Sequence, residues 1–501
     1  MKILLLLIGF LSITANAFAR TPNEESYFQQ LSRRVSSDLT QARPLTISRY
    51  LSGLIPSTYL LLGPLRMSRT LLFIKSVLLA DGEEDSEGEG PDFEMEEEVD
   101  VLDDEPIKGT TDNGRFRAEI RYVHGIENHP ARKNASNLRE IRLQYEDSRE
   151  FLGAEGHMRI DGVFDEVLDT TELDVRELYV TIPTPPWMTA NIGRQIIKWG
   201  TGDLIFVNDL FPKDYVSLYI GRDVEYMKRP SDAMELNLYS RFGNLDIVYS
   251  PRFTPYTVPT GERLSYFSPI KKDIVGERDI LPIEERDKIF RDDVLAVRYT
   301  NKLGNTELAL YGSDGYWPMP NGFDTGEQTT FYPRLRSYGA GLRGTAFHGI
   351  WSTELAYYDS LQDPGGDDPN IPNSQIRGFI GYERELIKNL DLGVQYYTEH
   401  RQDQSAYERA LSGANAEPRE YRMWTSRLTH KLRKQMLTLS LFSFYSPTQD
   451  DYYLRINVSY KPSDDWTLYA GSNHFGGNRR NTDFAQYQQN SNIFMGIRRY
   501  W

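Results

Sequence analysis

From residue 115 onward, apolar and polar side chains alternate with a period of two, in short runs separated by Gly, Pro, Asn and Asp. In "YYLRINVSY", Tyr452, Leu454, Ile456, Val458 and Tyr460 fall on one face, and Tyr453, Arg455, Asn457 and Ser459 on the other. "LGAEGHMRIDGVF" repeats the pattern, with Leu152, Ala154, Met158, Ile160 and Phe164 opposite Glu155, His157, Arg159 and Asp161. Segments of this kind predict strands at 115–124, 137–147, 152–164, 173–182, 187–197, 233–241, 244–252, 292–301, 304–312, 335–346, 349–358, 375–385, 388–398, 420–431, 434–445, 451–461, 465–472 and 492–501. Each strand has one greasy side and one wet side.

The connections between these strands alternate in length. Tight turns such as "FGN" at 242–244, "FHG" at 347–349 and "LRKQ" at 432–435 follow the even strands. Long polar loops such as 253–291, 313–334 and 399–419 follow the fifth, seventh, ninth, eleventh, thirteenth and seventeenth. Long-short alternation with an even strand count and an apolar outer face predicts an all-β fold: a transmembrane antiparallel β-barrel of about 18 strands (16–18), with short periplasmic turns and long extracellular loops. A soluble propeller would show a blade repeat of roughly 40 to 50 residues, and none is found. A sandwich would bury the same alternation without aromatic strand ends.

Composition refines this picture at the N-terminal end. "MKILLLLIGFLSITANAFAR" has Lys2, an apolar run from Ile3 to Ile13 and small residues at Ala15, Ala17 and Ala19, which predicts a secretory signal peptide over 1–19. A weaker leader-like stretch, "MSRTLLFIKSVLLADG" at 67–82, leaves the start open between Met1 and Met67, although Lys75 interrupts its apolar run. The formal net charge is -15, and the 15 acidic residues of 81–105, a stretch without Lys or Arg, account for all of it. Residues 20–113 are therefore expected to be an acidic, mostly disordered periplasmic extension. Its acidic block could dock a basic periplasmic partner. It lacks the spacing of a calcium loop.

The chain has no Cys, which removes disulfides, thiolate metal sites and covalently held haem. No cofactor and no metal site is expected, and a nucleic-acid role has no basis. Tyr is frequent, at 32 residues, as expected where rings sit at a polar–apolar boundary. The barrel itself is expected over 114–501, exported to the cell outer membrane and bedded in its lipid.

Two stretches carry more specific information. "NIFMGIRRYW" at 492–501 puts Ile493, Met495, Ile497 and Trp501 on one face, with Trp501 in the periplasmic aromatic girdle and the last strand closing on the first. It resembles the C-terminal signal read by the outer-membrane insertion machinery of Gram-negative bacteria, and departs from it at Arg499, where a hydrophobic residue is usual. "RELYVTIPTPPWMTANIGRQIIKWGTGDLIFVNDLFP" at 176–212 resembles a hairpin of porin-like outer-membrane barrels, including alginate-export-type porins, on Arg176, Glu177, Tyr179, Val180, Gly193, Arg194, Gln195, Trp199, Gly200, Asp203, Asn208, Asp209 and Leu210. The resemblance implies a transport-type barrel and transfers no substrate. Pro183, Pro185 and Pro186 belong in a turn, Trp199 and Gly200 are expected to end a strand at the outer interface, and the loop 200–232 is of a kind that folds inward and narrows a pore.

The wet faces contribute Arg142, Glu155, His157, Arg159, Asp161, Glu235, Arg241, Asp246, Arg252, Arg298, Glu307, Arg343, Glu354, Arg377, Glu383, Arg427 and Arg455 to the expected lumen, with both signs interspersed. The candidate substrate-path or constriction residues are Arg194, Gln195, Trp199, Asp203, Arg159, Asp161 and Arg142. The competing reading makes Arg194, Trp199 and Asp203 fixtures of a loop base. The function expected is passive or facilitated passage of small or oligomeric solutes, without catalysis. Two alternatives are a barrel sheath around a periplasmic or cytochrome-type partner and an outer-membrane hydrolase. The second is weak, since only His157 has charged neighbours of the same facing, Arg159 and Asp161, and no G-x-S-x-G occurs.

Overall fold

The computed structural model describes residues 114–127, 135–151, 153–411 and 416–501; the leader, the acidic extension and the two alternative starts lie outside them. Eighteen strands form one antiparallel sheet: β1 Arg115–Gly125, β2 Ser136–Phe151, β3 Ala154–Asp165, β4 Thr170–Ile182, β5 Met188–Gln195, β6 Ser231–Ser240, β7 Gly243–Ser250, β8 Val294–Leu303, β9 Thr306–Tyr316, β10 Arg334–Ala346, β11 Gly349–Ser360, β12 Gln375–Ile387, β13 Leu390–Arg401, β14 Glu420–Leu432, β15 Leu437–Ser446, β16 Asp451–Ser463, β17 Trp466–Gly477 and β18 Asn492–Tyr500. Every strand pairs with its sequence neighbour, and β18 closes on β1 from Arg117 opposite Tyr500 to Gly125 opposite Asn492. Closure leaves the sheet without a first or last strand, which is the condition for placing a sheet in lipid. All eighteen expected strands are present, with ends shifted by a few residues.

The side-chain alternation sorts outside from inside as the pattern predicts. On β18, Ile493 and Met495 are exposed while Phe494 and Arg498 are buried; on β16, Val458 is exposed while Tyr453 and Arg455 are buried. Exposed Leu, Ile, Phe and Met on nearly every strand give the wall its apolar outer band. The connections after the even strands are all short and gather at one rim; the long connections lie at the other, together with the short turns 166–169 and 447–450.

The interior departs from expectation in one sector. The inward faces of β12–β18 are not simply wet: Phe379, Tyr397, Met423, Phe442, Phe444, Tyr453, Phe475 and Phe494 join one buried apolar cluster with residues of the connection after β5 and of the connection after β17. Runs such as "LFSFYS" are aromatic on both faces, so alternation alone could not reveal that this side of the lumen is packed.

Candidate functional site

The connection from β5 to β6, residues 196–230, enters the barrel and follows its inner wall around almost the whole circumference. Its course begins where β5 stops at Gln195, buried with its amide on the Ala233 carbonyl at 3.3 Å. Gly200, at φ 83°, turns the chain inward; a Cβ there would stand 3.0 Å from the Glu354 carboxylate. Trp199 consequently lies inside, only 6% exposed, edge-on to Phe211 at 4.9 Å and under Arg298 of β8 at 5.2 Å. The expected place of Trp199 at the outer interface is wrong, because the strand ends at Gln195, two residues short of the expected 197 and four before Trp199.

Glu354 of β11 anchors the next stretch, accepting hydrogen bonds from Thr201 N, from Thr201 Oγ1 at 3.1 Å, from Asn208 N at 3.2 Å and from Asn208 Nδ2 at 2.8 Å. Gly339 on β10 permits this approach, since a Cβ would collide with the Asn208 amide. Asp203, at the turn, reaches Arg427 of β14 at 2.6 Å, and its N–H faces Gln395 of β13 at 3.3 Å. In the ring of eighteen, β14 is diametrically opposite β5. Arg427 also holds Glu383 of β12 through two contacts of 2.9 Å.

The return path is pinned just as densely. Lys213, fully buried, donates to Asp209 Oδ1 and to the Phe211 carbonyl, each at 2.8 Å, which keeps both charges compensated within the loop. Burial lowers the Lys213 ammonium from its ordinary pKa, and Asp209 opposes that fall. A short helix, α1 Tyr215–Tyr219, is N-capped by Asp214, which accepts from Ser217 N at 2.8 Å. Tyr219 packs on Phe475 and Tyr453, and its carbonyl accepts from Asn473 and Asn492 at 3.0 and 2.8 Å. Arg455 of β16 donates to the carbonyls of Leu218 and Arg222, each at 2.8 Å. Arg222 pairs with Glu140 of β2, Asp223 with Arg498 of β18 at 2.8 Å, and Glu225 with Arg117 of β1 at 2.6 Å. Arg176, turned inward by a bulge in β4, closes the circuit on the Lys228 carbonyl at 2.8 Å. Burial pushes the Glu225 carboxyl up, but Arg117 and then Arg498 outweigh it and hold the group at about 2.

A second long connection, residues 251–293, covers this belt. Thr257 exchanges backbone hydrogen bonds with Lys213 and Tyr215 at 2.8 and 2.9 Å, and Tyr256 OH donates to the Asp209 carbonyl at 3.2 Å.

The residues singled out in the sequence do not form one group. Arg194 has the outward parity of Ile192 and forms a two-pronged pair with Asp232 of β6 at 2.8 and 3.1 Å, while Asp203 lies across the lumen. Arg142 and Asp161 meet on the inner wall of β2 and β3 at 2.6 Å, and Gln144 donates to the same carboxylate at 2.7 Å. Arg159 faces Glu177 at 3.2 Å and Glu146 at 3.4 Å. His157 lies 2.8 Å from Ser148 Oγ and 3.6 Å from Glu177, but Arg159 shares that carboxylate, which makes it a weak orienter for a catalytic base. Glu225, Arg117, Arg176 and Arg498 were not anticipated as site residues, nor was the belt's Tyr226, whose ring Arg117, Arg142 and Arg176 approach at 5.7, 4.3 and 5.2 Å. Glu354 and Arg455 were legible only as lumenal positions.

No protein-family model matches the chain, and no curated protein matches it in sequence. Among solved structures, OccD3 (OpdP) of Pseudomonas aeruginosa is similar with a TM-score of 0.47 and 11% identity, over 79% of this chain and 92% of that one. OccAB3 of Acinetobacter baumannii gives 0.45 and 8%, over 77% and 98%. The outer membrane channel DcaP of Acinetobacter baumannii gives 0.37 and 10%, over 78% and 96%.

Proposed function

We propose that the protein is an outer-membrane channel that passes small or oligomeric solutes through the space left between the belt loop and the barrel wall. The observation that carries this reading is the belt: a segment held to the opposite wall by charged latches makes a fixed waist, whereas a lumen meant only to be filled needs no such bracing. A cavity of about 40 Å³ remains beside it. Trp199 and Phe211 face a wall of small residues, Ala296, Gly312, Ser313 and Ser337, across a narrow gap, and Arg298 and Glu383 stay partly open to solvent.

In this reading Trp199, Gln195 and Asp203 set the waist, and Arg142, Arg159 and Asp161 belong to a charge-balanced wall along the path. Arg194 steadies the loop base from outside. The likeness of 176–212 to alginate-export-type porins agrees with transport and assigns no solute. The wall would lie in outer-membrane lipid, the strand ending in Trp501 would engage the insertion machinery, and residues 81–105 would be free to meet a periplasmic partner. Steady single-channel conductance of the refolded protein in a planar bilayer is expected. A folded protein that never conducts would overturn the channel reading.

A further inference from the structure

The outer face of β18 carries a charge where an apolar side chain would ordinarily meet lipid. Arg499 is exposed and shares the outward parity of Ile493 and Met495. It stands directly opposite Trp466 of β17 and opposite Ala118 of β1. Its guanidinium carbon lies 5.1 Å from the ring centre of Trp466 and 4.7 Å from that of Trp501, so two indoles hold it. Both indoles are open to the surroundings, at 36% and 59% exposure. The aromatic band continues through Phe116, whose carbonyl accepts from Trp501 N at 2.9 Å, and through Tyr145, 4.7 Å from the Phe116 ring.

Among the described residues the Arg499 side chain makes no hydrogen bond and no ion pair. The acid on this face of β2, Asp147, is taken by Tyr145 OH at 3.0 Å and by Arg149 at 2.7 Å. Asp464 and Asp465 occupy the adjacent turn and make no ion pair with it. A guanidinium stacked through its faces keeps its in-plane N–H donors free, and their fork matches two oxygens of one phosphate. An aromatic band at the short-turn rim is also the depth at which lipid head groups sit.

We propose that Trp466, Arg499 and Trp501 form a clamp for the phosphate of a glycerophospholipid in the periplasmic leaflet. The proposal rests on the membrane-barrel reading. The stack fixes the guanidinium before the lipid arrives, so little side-chain freedom is lost on binding. The departure of Arg499 from the usual C-terminal pattern thereby acquires a use.

The test is native mass spectrometry of the full chain, folded in micelles doped with phosphatidylglycerol or with a phosphate-free galactolipid. Wild type should retain phosphatidylglycerol about fivefold better than R499Q, the effect of one basic side chain at a membrane surface. R499K should fall between them, because it keeps the charge and loses the fork. R433Q/K434Q, at another turn of the same rim, should match wild type. Equal retention by R499Q and wild type would overturn the proposal. So would equal retention of the two lipids by wild type, a comparison that stands even if R499Q fails to fold. Displacement of the lipid by millimolar inorganic phosphate would reassign the clamp to a soluble anion and overturn the lipid assignment. Conductance of R499Q should be unchanged, which separates this outcome from failure of the channel reading.

Discussion

Asp203 and Arg427 form the contact on which the shape of the waist depends most. Asp203→Ala leaves Arg427 its second partner, Glu383, so the wall should hold while the loop turn comes loose. The expected result is larger, noisier conductance with a stability loss of about 1–2 kcal/mol, read from guanidinium unfolding. Lys213 should respond differently. Lys213→Met strands the buried Asp209 and should cost about 3–5 kcal/mol, and a compensating Asp209→Leu should recover most of it in a double-mutant cycle. Neither partner could be chosen from the sequence. The facing of Asp203 was not fixed by any strand, and Trp199 was placed outside because the alternation gives no sign that β5 stops at Gln195.

At the scale of elements, the strands were legible because a wall between lipid and lumen imposes its two environments on every second residue. The belt loop was legible only as a long polar connection. Its anchors lie far off in sequence, as Asn208 from Glu354 by 146 positions and Leu218 from Arg455 by 237, and no local pattern encodes such pairs. The latch at Glu225 makes a pH prediction. Its carboxyl is held at about 2 against an ordinary 4.5, so the folded loop binds fewer protons than the free one in between. That stabilisation is complete above pH about 5 and is lost as pH falls toward 2, with a size of order 3 kcal/mol. Protease cleavage within 196–230 should therefore rise over this interval in wild type. In E225Q the loop should be cleaved more readily at neutral pH and show a smaller rise on acidification, since the Glu140 and Asp223 latches remain.

For the whole molecule, the barrel divides its interior unequally. The inner faces of β12–β18 join the belt in an aromatic core, while β1 and β2 meet it through arginine–carboxylate pairs and β4 through Arg176 on the Lys228 carbonyl. Between them the belt meets the small-residue wall of β7–β10 across a cavity of about 40 Å³. A channel built this way owes its bore to the belt and not to its strand count. The most direct measurement is single-channel conductance in a planar bilayer, comparing wild type with the double variant D203A/R427A after heat-modifiable migration has confirmed that both are folded. Steady conductance in wild type, with a clear increase when the latch is removed, is the predicted result. Identical conductance in the two, or none in either, would contradict the claim that the belt sets the waist of a channel.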